Sequence, residues 1–370
     1  MTANGNGVSS VACRVYRVPT DRPEADGTLE WSATTVVVVE ARAAGTTGLG
    51  WTYASAACRP VVDEQLAGAV TGTDPTDVPG AHEAMVRACR NLGRPGVVSC
   101  AVSAVDVALW DLKARLLDVS LAGLLGRCRE QVPVYGSGGF TTYDHATTAE
   151  QLERWVGTWG IPRVKIKIGE SWGAAVGRDL ERTALARRVV GDGVDLFVDA
   201  NGAYHRKQAV RVGHRLAGEH GVTWFEEPVS SDDLAGLRLV RDALPLDVAA
   251  GEYGYDEPYF ARMAAAGAVD CLQADATRCG GSTSWLRVAA LAGSLGLDIS
   301  AHCAPALHLP VAGAVPHLRH VEYFHDHSRI DHMLFEGADR PADGCLAADL
   351  SRPGHGISLR EAEAEPFRVG

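Results

Sequence analysis

The sequence predicts an α/β protein: a (β/α)8 barrel over residues 131–370, preceded by an α+β domain over residues 1–130, with the C-terminal segment returning to that first domain. Three observations carry this reading. The 370 residues exceed one ordinary domain and suit a barrel of about 250 residues with a smaller partner. From Val132 onward, short β-rich runs alternate with amphipathic helical stretches. Before residue 130 strands come first and helices follow, the pattern of a separate α+β unit. A doubly wound sheet is the second choice for the alternating region.

In the first domain, Ala12–Arg17 and Thr34–Glu40 read as strands. A polar connection rich in Pro, Asp and Gly, Pro19–Gly27, reads as a loop with a mobile tip. From Ala81 to Leu125 the pattern is helical, with Val105, Leu109, Leu112 and Leu116 at three- and four-residue steps and Gly126 as C-cap. The second domain offers eight strand candidates: V-P-V-Y, R-V-K-I-K-I, D-L-F-V-D-A-N, V-T-W-F-E-E-P, L-D-V-A-A-G-E, V-D-C-L-Q-A-D, L-D-I-S-A-H and H-V-E-Y-F. A helix over Thr148–Gly157 opens with a capping-box pattern, Thr148 and Gln151.

Composition narrows the function classes. A net charge of -11 argues against nucleic acid or anionic membrane as partners through a general basic field. It does not oppose a small anionic substrate, because a few buried lysines and a metal dominate locally. Nine cysteines without a C-x-x-C pair indicate reduced thiols and a cytoplasmic protein. Residues 1–12 hold no basic segment followed by an apolar one, so no signal peptide is expected. The most apolar run, Val36–Val39, is too short to span a bilayer and reads as a strand.

The chemistry lies in the ionisable residues placed late in the strand runs. Lys165 and Lys167 are followed by Asp199, Glu226, Glu252, Asp275, His302 and Glu322, at spacings of 20 to 32 residues, close to one βα unit each. In a barrel they converge at the C-terminal mouth. Asp199, Glu226 and Glu252 offer three hard oxygen ligands, a set suited to Mg2+ or Mn2+. Ion pairing alone is the bland alternative, but Lys165 and Lys167 are too few for these acids. The two lysines, two residues apart, face one side of their strand, and neighbouring ammonium groups beside a cation depress each other's pKa. Asp275 bonded to one nitrogen of His302 would fix its tautomer and raise the basicity of the other.

The segments V-K-I-K-I-G (164–169), F-V-D-A-N-G (197–202), W-F-E-E-P (224–228), A-A-G-E (249–252), Q-A-D-A-T-R-C-G-G (273–281), I-S-A-H (299–302) and H-V-E-Y-F (320–324) resemble the mandelate racemase branch of the enolase superfamily. A-L-W-D-L-K (108–113), L-L-G (124–126) and P-G-H-G-I (353–357) extend the likeness over nearly the whole chain. The resemblance implies a modified TIM-type barrel with an N-terminal capping domain. It implies Asp199, Glu226 and Glu252 as metal ligands, Lys167 as one base and Lys165 as its neighbour at the substrate carboxylate. His302, oriented by Asp275, would be the base on the opposite face. Glu322 would hydrogen-bond the carboxylate oxygen that gains charge, and Asn201 would stand behind the ligands. Two capping segments, Pro19–Trp31 and Gly50–Ala54, would close the site.

Three further sequence features have simpler explanations than a site. Seven histidines between 302 and 332 suggest zinc, with H-D-H at 325–327 the sharpest candidate. No third ligand stands at a fitting spacing, and a polar loop is preferred. G-S-G-G-F at 136–140 lacks a complete phosphate-loop fingerprint. Cys303 beside His302 would point the other way on a strand, which opposes a thiol nucleophile.

The functional expectation is Mg2+-dependent removal of the proton α to a carboxylate, through an enediolate, in an acid-sugar dehydratase acting on a small polyhydroxy acid. Glu30, Trp31, Trp51 and Tyr53 in the capping segments favour such a substrate. The alternatives are a racemase or epimerase of a 2-hydroxy acid, a metal-dependent aldolase or hydrolase, and a catalytically silent barrel that binds a partner. A homo-oligomer is the family-level expectation.

Overall fold

A run of four valines organises the first domain. The computed structural model describes residues 7–369, so residues 1–6 of the segment inspected for a signal lie outside the described residues. Strands β1 (Ser10–Ala25), β2 (Glu30–Ala43) and β3 (Thr46–Tyr53) form an antiparallel sheet in that order. Val37 and Val39 of β2 face a core shared with Val15 and Leu109. Val36 and Val38 face the other way, into the core continuous with the barrel. A strand buried on both faces needs this uninterrupted β-branched sequence.

The ribbon β1–β2 is longer than the sequence suggests. Only residues around Asp26–Leu29 turn; Pro19–Ala25, read as loop, stay within β1. Pro19 pairs with Ala33 and Glu24 with Trp31, so a wide bulge lies between the two pairs. Such a bulge bends the ribbon and re-aims its side chains. Glu24 is buried as a result.

Strand β3 also departs from the sequence reading, in which Gly50–Ala54 is a capping loop. It packs on the helix Val97–Leu116, and Gly48 and Gly50 make the approach feasible. A Cβ at either position would collide with the backbone carbonyl of Ala108 or Ala104. The long helix ends at Leu116, and a separate short helix, Leu121–Leu125, carries the Gly126 cap at φ 81°. Asp118, at φ 53°, breaks the pattern between them.

Eight parallel strands follow: β4 (Gln131–Gly138), β5 (Arg163–Lys167), β6 (Asp195–Asp199), β7 (Val222–Glu226), β8 (Asp247–Ala250), β9 (Cys271–Ala274), β10 (Asp298–Ala301) and β11 (Leu318–Phe324). They are ordered consecutively, and β11 pairs with β4 to close the barrel, which excludes the doubly wound alternative. Val164, Ile166 and Leu196 face the outer helices, while Tyr135, Phe197, Trp224 and Cys271 fill the lumen.

The helix after β4 begins at His145, three residues before the expected Thr148. Asp144 caps it by accepting from the Thr147 amide at 2.7 Å, and Gln151 instead accepts from the Gly139 amide. The chain's end lies on the first domain: the Val369 amide donates to the Val15 carbonyl at 2.9 Å. Among the described residues no helix is long and apolar enough to cross a membrane, and the nine cysteines are all unpaired.

Candidate active site at the barrel mouth

Strand register brings the acids together. Lys167, Asp199 and Glu226 are lateral partners on β5, β6 and β7. Glu252 follows β8 after Gly251, whose φ of 138° and close contact with the Gln273 backbone admit no side chain. Carboxylate oxygens of Asp199, Glu226 and Glu252 all lie within 4.8 Å of one another, and the three residues are buried. The Glu252 Oε2 has no hydrogen-bond partner. Three buried carboxylates, one with an unpartnered oxygen, fit a hard divalent cation such as Mg2+ or Mn2+.

Both lysines turn into this cluster. Lys165 Nζ pairs with Glu226 and, at 2.8 Å, with Glu322 Oε1; Lys167 Nζ pairs with Asp199. Burial works to lower the Lys165 ammonium, but Glu226, Glu322 and Asp199 outweigh it and hold it well above the usual lysine range. Burial likewise opposes the charge on Lys167, and Asp199 overrides it. Lys165 does lower its neighbour Lys167, as expected of adjacent ammonium groups, but Asp199 outweighs it. Burial dominates at Glu226 and pushes its carboxyl well up.

Opposite stands the His302–Asp275 pair. His302 Nδ1 lies 2.8 Å from Asp275 Oδ2, and Nε2 is 3.4 Å from Glu252 Oε2. Burial opposes the Asp275 charge, yet the His302 hydrogen bond and nearby charges hold it well below the usual carboxylate range. Glu322 is an acceptor throughout. Ser137 Oγ donates to its Oε1 at 2.6 Å and the Cys303 amide to its Oε2 at 2.9 Å. Burial raises its pKa, but Lys165 and His302 hold it well below the usual range. The Asn201 amide donates to Asp199 Oδ1 at 2.8 Å, placing Asn201 directly behind that acid.

The chain is strained where it leaves the strands. Asn201, Glu227, Cys303 and Ala304 have φ of 45°, 37°, 51° and 41°. Non-glycine residues hold such angles only where the surroundings over-determine them. The turn at Cys303 also corrects one expectation. Its Sγ is 3.3 Å from His302 Nε2, because the backbone is no longer a strand there. Burial and Glu322 push that thiol far up, so it is still a poor nucleophile.

Lys167, His302, Asn201 and Glu252 line one cavity of about 230 Å³, roofed by Trp31 and Thr34 of the ribbon. Leu29, Asn201 and Tyr253 also line an adjoining cleft of about 630 Å³ that extends the mouth. Of the capping aromatics named from sequence, only Trp31 reaches the cavity. Trp51 is buried against Phe335, Tyr53 stacks on His327 at 3.5 Å, and Glu30 is exposed. The histidines of 302–332 do not converge: His320 lies inside the barrel, His325 faces Asp21 and His327 accepts from the Ala304 amide.

Comparison with known proteins decides the relationship. The model of the mandelate racemase / muconate lactonizing enzyme N-terminal domain matches residues 12–126, and that of the enolase C-terminal domain-like family matches residues 147–363. The chain belongs to the mandelate racemase/muconate lactonizing enzyme family of the enolase superfamily. A mandelate racemase/muconate lactonizing enzyme-like protein from Rubrobacter xylanophilus is 48% identical, with a TM-score of 0.94 over 98% of this chain and 99% of that one. The 3,6-anhydro-alpha-L-galactonate cycloisomerase of Streptomyces coelicolor is 31% identical over 361 residues, 95% of this chain and 97% of the relative. The L-talarate/galactarate dehydratase of Salmonella typhimurium LT2, solved with Mg and L-lyxarohydroxamate, is 26% identical, with a TM-score of 0.90 over 99% of this chain and 94% of that one.

Four residues of this family member escaped the sequence reading. Tyr135 and Gln273 sit beneath the acids, with Gln273 Nε2 donating to Glu226 Oε2 at 3.1 Å and to Tyr135 Oη at 3.0 Å. Glu227 is buried and pushed well up by burial and Glu252, while Arg278 lies 3.4 Å from Glu252 and 3.6 Å from Asp275. Polar residues inside otherwise apolar strand runs, such as Gln273 in C-L-Q-A, were the available signal.

Proposed function

We propose that this protein dehydrates a polyhydroxy carboxylic acid by abstracting the proton α to its carboxylate. The observation that carries the reading is the convergence of three buried carboxylates within 4.8 Å, with a lysine and an Asp-supported histidine on the walls of the same cavity. The family relatives named as a sugar-acid dehydratase and a cycloisomerase support it.

Asp199, Glu226 and Glu252 would hold Mg2+, with Mn2+ as substitute. Held there, the cation would balance the charge of these acids, leaving Lys165 and Lys167 to act on the substrate, and would supply electrostatic stabilisation of the charge that develops on the substrate carboxylate. Lys165 then holds that carboxylate, and Lys167 is free to act as a base. His302 Nε2 is the second base, its ring oriented through Nδ1 by Asp275. One base removes the α proton, and the electron pair left on the α carbon forms the enediolate. As the β carbon–oxygen bond breaks, a protonated base hands its proton to the departing hydroxyl, which leaves as water. The resulting enol becomes a 2-keto-3-deoxy acid. Glu322, whose Oε1 pairs with Lys165 at 2.8 Å, would stand beside the carboxylate oxygen that gains charge.

Bases on two walls also favour a second reading, return of the proton to the opposite face by a racemase or epimerase. A panel of sugar acids with Mg2+ separates the two. Keto product supports dehydration; deuterium incorporation with inversion and no keto product overturns it. A silent binding barrel or an aldolase would leave both readouts blank. The net charge of -11 supports a substrate other than nucleic acid, and nine unpaired thiols support a cytoplasmic location. A homo-oligomer is part of the same proposal, tested by light scattering.

A further inference from the structure

We propose that Asp21, Glu24 and His325 form a second divalent-metal site, of the zinc class, tying the β1 ribbon to the helix that follows β11. One ligand atom from each of these residues lies within 4.8 Å of the others. His325 Nε2 is 3.2 Å from both carboxylate oxygens of Asp21. Glu24 is fully buried, and its two oxygens are used unequally. Oε2 accepts from Trp31 Nε1 at 2.8 Å, while Oε1 has no partner. A buried carboxylate oxygen left unpartnered beside a second carboxylate and an imidazole is what a bound cation relieves.

Neighbouring charges leave the need open. Asp326 adds a third carboxylate, engaged by Thr34 and by Arg329 at 2.7 Å. The Arg329 guanidinium also donates to the Pro19 carbonyl at 2.7 Å and pairs with no oxygen of Glu24.

The donor set selects the metal. One imidazole nitrogen and two carboxylates suit Zn2+ with water in the fourth position, whereas the all-oxygen set at the barrel mouth suits Mg2+. Asp21 and His325 are partly exposed, which gives the ion a route in. Trp31 links this site to the substrate cavity, since its indole bonds Glu24 and its ring lines the pocket. The H-D-H segment lacked a third ligand along the sequence because the missing ligands come from a strand three hundred residues away.

Equilibrium dialysis of the full chain against Zn2+, in saturating Mg2+, tests the proposal independently of any reaction. Wild type should retain one equivalent of zinc. Glu24→Gln and His325→Gln should each weaken it about 10- to 100-fold; Glu24→Gln preserves an acceptor for Trp31. The Cys303→Ser variant tests the other soft group, His302–Cys303–Glu322, and should keep its zinc. With Co2+ as probe, a visible absorption band should appear in wild type and vanish in His325→Gln while circular dichroism stays unchanged. Zinc retained equally by Glu24→Gln, zinc lost in Cys303→Ser, or no zinc retained at all would each overturn the site.

Discussion

Two carboxylate clusters lie a short distance apart on this molecule, and they solve the same electrostatic problem differently. At the barrel mouth, Asp199, Glu226 and Glu322 are held by two buried ammonium groups fixed on β5. On the ribbon, Glu24 accepts from an indole N–H and has the Asp21–His325 pair and the Asp326 carboxylate beside it. Asp199 and Glu322, which face the fixed ammonium groups, are held below the usual carboxylate range, whereas burial pushes up Glu24, which pairs with no ammonium or guanidinium. The first cluster is built on strands locked by eight-fold pairing, the second on a bulge.

The largest test of this contrast is chemical. Lys167→Ala should lower turnover roughly 10²- to 10⁴-fold with circular dichroism unchanged; full activity per folded molecule would remove Lys167 from the chemistry. Next in size is stability. Lys165→Met strands Glu226 and Glu322 without their cation, and urea unfolding in metal-free buffer should show a loss of about 3–5 kcal/mol. Equal stability would mean that the acids do not depend on the lysines.

Backbone packing gives a smaller effect. Gly50→Ala forces a methyl against the Ala104 carbonyl and should cost about 1–3 kcal/mol, read from the same urea transitions. The ribbon cluster predicts a pH dependence of defined sign. Glu24 releases its proton near 4.5 in an unfolded chain and at about 9 in the folded one. Its contribution to stability is complete below about 4.5 and is lost as pH rises towards 9. In metal-free buffer, Glu24→Gln should therefore gain in Tm relative to wild type across that range; a constant difference would contradict the protonated state. Smallest is Trp31→Phe, which keeps the edge contact with Phe140 but deletes the bond to Glu24. About 1 kcal/mol and a few-fold change in KM are expected, against no change at all if the ribbon is inert to the cavity.

Much of the site was legible because barrel strands are short and their ends chemically odd. A carboxylate or lysine at the end of R-V-K-I-K or D-L-F-V-D has no apolar reason to be there. The ribbon was harder. Pro19–Ala25 carries the residues of a loop, and pairing with β2 across a bulge holds it in the sheet. Strand β3 was hidden by glycines that serve helix contact instead of turning. Cys303 was placed on the wrong side of His302 because alternation ends where the strand does.

The sequence by itself determined the alternation that closes the barrel and the acids, lysines and histidine carried at successive strand ends. Those features are periodic, and periodicity survives in one dimension. The tertiary structure alone decided how charges divide among them: Glu322 as acceptor of Lys165, Gln273 beneath Glu226, and Glu24 buried beside a histidine from the far end of the chain. Charge partition depends on distance and burial, and neither is a property of residue order.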